Sequence, residues 1–189
     1  MKSPMEYRDL FPKITAEVNS VLAKVAPAEV DRLVEEILKS EKVFIFAVGR
    51  VFLSLQCLGK RLGHLQIDCQ IVGSANEKPI SGKDLLLVAS GSGESRLPVQ
   101  IARIGKEKGA RVGLITSARQ STLKELSDFC IHLPAPTKKN TSAGVKSIQS
   151  MSTLFDQALH IFGDIVTILI QEKKGLKDEA LWKQHANLE

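Results

Sequence analysis

Asp84-Leu85-Leu86-Leu87-Val88-Ala89-Ser90-Gly91-Ser92-Gly93-Glu94-Ser95 carries an unbroken apolar run straight into a turn of serines and glycines. A short apolar run without alternation describes a strand buried on both faces, as in a parallel sheet; a half-exposed antiparallel strand would alternate. Upstream, Val43-Phe44-Ile45-Phe46-Ala47-Val48 ends at Gly49 in the same way, and Gln70-Ile71-Val72 adds a second strand on that side. Downstream lie Arg111-Val112-Gly113-Leu114-Ile115-Thr116 and Phe129-Cys130-Ile131-His132-Leu133. Between the strands the apolar period changes to helical. Val51, Leu55, Leu58, Leu62 and Leu65 share one face, and 96–108 and 121–127 are further helices. Strand and helix in alternation predict an α/β fold, a three-layer α-β-α sandwich around a five-stranded parallel sheet.

Extra helices flank this core at both ends. Leu10, Ile14, Val18, Val21 and Leu22 predict a helix over about 7–24, and 28–40 repeats the pattern. A long helix from about 147 to 171 carries a wide stripe that includes Leu154, Phe155, Ala158, Phe162 and Val166. The charged end, Leu176 to Glu189, has Leu181 and Trp182 as its strong anchors and reads as a frayed tail or an arm for a neighbouring subunit. No repeat or linker divides the chain, so residues 1–189 read as one domain. Its core is about 35–135, with N-terminal helices in 5–40 and a C-terminal helix and tail in 145–189.

Composition narrows the function classes. A hydrophobic share of 43% in 189 residues supplies a substantial core. Cys57, Cys69 and Cys130 are odd in number and lack C-x-x-C spacing, which excludes a disulfide framework or zinc knuckle and predicts small buried hydrophobes. Met1 to Tyr7 lacks the apolar centre of a signal peptide, and no stretch approaches about 18 uninterrupted apolar residues, so a cytoplasmic chain without a membrane partner is expected. The net charge of +5 is spread among acids, aromatics are 5%, and Lys138-Lys139 is the one paired basic step in a loop. That pattern suits a small phosphorylated ligand and gives no groove for nucleic acid.

Ligands of open parallel sheets gather beyond the carboxyl ends of the strands. In the turn Ser90 to Ser95, Gly91 and Gly93 let the backbone approach a ligand, while Ser90, Ser92, Ser95 and the free N–H groups of the next helix can hold phosphate oxygens. An ordinary serine-capped turn, with Glu94 in the first helical turn, is the plainer alternative. No Lys-Ser/Thr pair follows the glycines and no G-x-S-x-G elbow is present, so the turn is expected to hold a phosphate and not to hydrolyse one. Gly49-Arg50 ends the first strand and offers a cation, and Thr116-Ser117 ends another. His64 and His132 read as packing residues. Asp156, His160 and Asp164 share a stripe at one-turn spacing, which suggests acid-base chemistry but also fits a solvated ion-pair stripe. No metal-ligand set emerges.

In order and spacing, the strand ending at Gly49-Arg50, the run from Asp84 to Ser95, Ile115-Thr116-Ser117 and Leu133-Pro134 resemble the SIS (sugar isomerase) domain over about 35–135. Ser147-Ile148-Gln149-Ser150-Met151-Ser152-Thr153-Leu154-Phe155-Asp156-Gln157-Ala158-Leu159 and the closing His185-Ala186-Asn187-Leu188-Glu189 look like the 6-phospho-3-hexuloisomerase branch of that family. The resemblance implies interconversion of D-arabino-hex-3-ulose 6-phosphate and D-fructose 6-phosphate through an enediol, without metal or organic cofactor, in a homodimer or homotetramer. It implies Asp156 as base, His185 as the group moving protons between oxygens, and a phosphate held by Ser90, Ser92 and Ser95 with Arg50 and Gln149 nearby. Val51-Phe52 stands where the branch has Ser-Gly, Ser74 to Pro79 departs from its pattern, and Asp156 replaces a glutamate. These changes, expected to line one pocket, leave open an isomerase of another sugar phosphate or a binding protein without turnover.

Overall fold

The computed structural model describes residues 6–137 and 145–188; the expected loop from Lys138 to Gly144 lies outside them. In chain order the elements are α1 (Tyr7–Leu22), α2 (Pro27–Lys39), β1 (Val43–Phe46), α3 (Arg50–His64), β2 (Cys69–Ile71), β3 (Leu85–Ala89), α4 (Arg96–Glu107), β4 (Arg111–Thr116), α5 (Thr122–Leu126), β5 (Phe129–His132), α6 (Thr153–Lys173) and α7 (Asp178–Trp182). All strand pairs are parallel and the sheet order is β2-β1-β3-β4-β5.

Each strand feeds both faces of the sheet because its side chains alternate. Leu85, Leu87 and Ala89 of β3 join Val43, Ile45, Ile115 and Ile131 under α2, α3 and α6, while Leu86 and Val88 join Phe44, Val112 and Leu114 under α4 and α5. Each such fully buried side chain contributes about 1.5–3 kcal/mol before entropy is counted. α6 is long and apolar enough, by length and composition, to cross a membrane, but its Leu154, Phe155, Phe162, Val166 and Ile170 are buried in the core.

Three expectations are corrected. α6 begins at Thr153, not near 147, because Met151 takes the left-handed conformation (φ 60°) and ends any helical path through 147–152. Cys57 is exposed on the outer side of α3; Cys69 and Cys130 are partly covered, and burial pushes their thiols up to about 12 and about 11. Of the two readings of the C-terminal segment the frayed tail is overturned, since Asp178–Trp182 form α7 and Leu176 and Leu181 pack on the core.

Chain order puts β3 on the opposite side of β1 from β2. Loops leaving β1 and β3 therefore diverge to opposite faces, and the crevice between them is the natural ligand position of an open α/β sheet.

Candidate active site

That crevice holds a cavity of about 420 Å³, walled by Val48, Arg50 and Val51 after β1, by Ala89 to Ser92 and Ser95 after β3, and by Met151 to Thr153 and Asp156 from the start of α6. The turn from β3 into α4 is held by its own hydroxyls. Ser90 Oγ accepts from Gly93 N at 3.1 Å and sits 3.3 Å from Ser95 Oγ, and Ser92 Oγ accepts from Glu94 N at 3.2 Å. Gly91 O accepts from Ser117 N, which ties the turn to the end of β4. Ser95 is the N-cap of α4 but its side chain makes no capping bond, so the N–H groups of Arg96 and Leu97 at the start of this 12-residue helix have no cap from it. Glu94 lies before the helix and not in its first turn. Its carboxylate accepts from Thr122 N at 2.8 Å and Thr122 Oγ1 at 2.9 Å, which draws its charge away from the serines. The arrangement suits an anion with several oxygens.

Gly49 caps α3 at φ 62°, ψ −142°, a conformation open essentially to glycine. It delivers Arg50 to the cavity, where Nε donates to Asp156 Oδ2 at 2.9 Å. Asp156 does not lie on a solvated stripe with His160 and Asp164, which form their own exposed pair at 3.9 Å. It is 5% exposed, its backbone carbonyl accepts from Ser54 Oγ at 2.9 Å, and its Oδ1 has no hydrogen-bond partner among the described residues. Burial raises the Asp156 pKa above the ordinary carboxylate value, and the Arg50 guanidinium acts in the opposite direction. A buried carboxylate beside an arginine, in the same cavity as the serine-glycine turn, can take and return a proton.

Other expected residues fall elsewhere. Gln149 is absent from the cavity wall; its amide donates to Glu17 Oε2 at 3.2 Å and Gln157 Oε1 at 2.9 Å. Val51 faces the cavity, whereas Phe52 packs on Phe46 with ring centroids 5.6 Å apart. The 73–79 segment closes on itself through Glu77 Oε2 and Gly73 N, with Lys78 paired to Asp68, and lines no part of the cavity. Of the departures named above, Val51 and Asp156 alone touch the cavity.

His185 is remote from Asp156 within the chain. Its ring makes tilted contacts with Trp182 (centroids 5.6 Å apart) and His64 (5.5 Å), and His64 ends α3, fourteen positions and about 20 Å beyond Arg50. A carbonyl only accepts, so in the 2.9 Å contact of His185 Nδ1 with Ala186 O the ring nitrogen is the donor. His64 is buried as expected, with Nδ1 accepting from Arg61, but its Nε2 lacks a partner among the described residues. Burial, then Arg61, Lys60 and His185, lower its pKa. His132 serves the fold, bonded to Ser117 O at 3.0 Å, and its pKa is lowered chiefly by burial. Among the described residues no three His, Cys, Asp or Glu side chains gather as a metal site. Sequence reasoning missed Met151, Ser152 and Thr153 as cavity wall because it took them as helix.

The SIS domain family model matches residues 36–161. The chain is 32% identical to a 3-hexulose-6-phosphate isomerase of Bacillus subtilis (strain 168), over 98% of this chain and 100% of that one. It is 35% identical to a protein of the same name from Mycobacterium gastri, over 92% and 86% of the two chains. Among solved structures, a Methanococcus jannaschii protein for which a molecular function of 3-hexulose-6-phosphate isomerase was inferred superposes with a TM-score of 0.81, at 26% identity, over 94% of this chain and 98% of that chain. A glycine-serine turn at the switch point of a parallel sheet, and a likeness that runs the length of the chain, have one explanation: the chain belongs to the SIS domain family.

Proposed function

We propose that the chain is a sugar-phosphate isomerase that interconverts D-arabino-hex-3-ulose 6-phosphate and D-fructose 6-phosphate. The observation that carries this reading is the buried Asp156 carboxylate in one cavity with the Ser90–Ser95 cradle. The phosphate sits on the serines and the α4 N-terminus, and the sugar carbons extend past Val51 and Thr153 towards Asp156. Asp156 removes the C2 proton beside the C3 carbonyl, the electron pair forms a 2,3-enediol, and the proton returns at C3. A C2 carbonyl then replaces the C3 one, as a proton passes from O2 to O3. Arg50 holds Oδ2 and so orients the carboxylate.

The test is exchange in deuterated water. Deuterium entering fructose 6-phosphate at C3 is the expected result; label at C1 would mean aldose-ketose chemistry instead. Val51, a bulky side chain in the cavity wall, favours a second reading, a binding protein without turnover. That reading predicts thermal stabilisation by fructose 6-phosphate with no label in any position.

The same proposal includes a cytoplasmic homodimer or homotetramer with a shared site. Leu53 and Cys57 on α3 and Ile161, Ile165 and Ile168 on α6 form an exposed, largely apolar stripe, and a recess of about 350 Å³ opens on it beside Asp156. A two-fold axis that packs this face antiparallel on itself brings one subunit's His185 end to the other's Asp156 end. Refolding equimolar inactive Asp156→Asn and His185→Ala chains together should restore about a quarter of wild-type activity, since half the dimers would be mixed and each would own one intact site. No recovery, in mixtures shown to exchange subunits, would rule out the shared site.

A further inference from the structure

Glu17, near the end of α1, binds the segment that precedes α6. Its Oε1 accepts from Ile148 N at 2.7 Å, and its Oε2 accepts from Ser147 Oγ at 2.7 Å and Gln149 Nε2 at 3.2 Å. Three donors converge on one carboxylate, which has the lone pairs to receive them all. Gln149 Nε2 donates a second time to Gln157 Oε1 at 2.9 Å, so the contact continues onto α6, at the residue next to Asp156. The segment then turns through Met151, whose φ of 60° is unusual for a side chain of that size and persists only where tertiary contacts impose it. Past that turn, Met151, Ser152 and Thr153 form one wall of the cavity.

We infer that Glu17 is a positioning residue for the isomerase site, setting through Ser147–Gln149 and Gln157 both the wall that meets the sugar and the first turn of α6 that carries Asp156. The inference rests on the cavity being the sugar-phosphate site. A glutamine at 17 keeps the shape but presents one acceptor oxygen, and its NH₂ turns a donor towards donors. The cradle is tied instead to α5 and the end of β4, through Thr122, Leu123 and Ser117, and has no bond to this segment among those described.

Phosphate and sugar binding should therefore separate. In the full-length chain, Glu17→Gln is expected to leave the Kd for inorganic phosphate within about twofold of wild type while weakening fructose 6-phosphate about tenfold, with kcat for C3 exchange falling alongside. Gln149→Leu should reproduce the split, and Ser147→Ala, which removes a single bond, should show a smaller one if Glu17→Gln fails to fold. An unchanged ratio of the two affinities, or equal weakening of both ligands together with a lower melting temperature, would overturn the inference. A wild-type chain that binds fructose 6-phosphate no tighter than phosphate would instead remove the site reading, and this inference with it.

Discussion

A chain carrying Asp156→Asn is expected to bind fructose 6-phosphate almost normally and to exchange its C3 proton about 10²–10⁴-fold more slowly, the usual contribution of a positioned general base. Asparagine keeps the shape and can still accept from Arg50 Nε, but it cannot take a proton. The pH profile gives an independent check. The base works ionised, so exchange should rise with pH through a value above the ordinary carboxylate range, since burial outweighs the opposing Arg50. That acid limb should vanish in the variant. The stability consequence has the opposite sign to a surface ion pair. A pKa raised on folding means stability that is fully present below the unfolded pKa and lost as pH rises through the folded one. Ionised Asp156 is thus a net burden at neutral pH, and Arg50, 67% exposed along its side chain, loses little when its partner is neutralised. Asp156→Asn should melt no lower than wild type at pH 7, with the difference shrinking below about pH 4. A variant that is inactive but also melts lower at pH 7 would mean a folding defect and sink the assignment of the base.

Gly93→Ala should damage the cradle and the fold together. Gly93 has φ 67°, where an alanine costs about 1–2 kcal/mol. Its Cβ would stand 2.5 Å from Ser121 Cβ and closer still to Ser121 Oγ, the atom that caps α5 by accepting from Lys124 N. Loss of that cap adds about 1 kcal/mol, for a total of about 2–3 kcal/mol. Because Gly93 N also donates to Ser90 Oγ, the same shift opens the turn. Thermal melts with and without inorganic phosphate measure both effects: a midpoint lower by several degrees, and loss of any stabilisation by phosphate. A normal midpoint and normal phosphate response would show that the turn does not need this conformation.

The features legible in the chain are those that neighbouring residues impose. The run from Leu85 to Ala89 is buried on both sides because its alternate residues enter the two cores, and each crossover helix appears where an unbroken apolar run gives way to a period of about 3.6. The cradle was visible for the same reason: strand, glycine turn and helix N-terminus are contiguous. Helical spacing also put Asp156, His160 and Asp164 on one stripe, yet the stripe straddles a boundary. The first turn of α6 tucks against Arg50 and Ser54, so Asp156 goes inward while the next two turns carry His160 and Asp164 to the surface. Spacing gives relative angles around a helix; it does not say which angle faces the protein.

Local pattern alone therefore determined the parallel sheet, the crossover helices and a serine-glycine turn at the sheet's carboxyl edge. Tertiary structure decided how the rest of the candidate site is distributed. Arg50 meets Asp156 across 106 residues of sequence and Glu17 meets Gln149 across 132, while Phe52 turns to Phe46 and His185 docks on His64. Such pairings depend on which helical faces come together when two hydrophobic cores close on one sheet, a property of the whole packed chain and of no single segment.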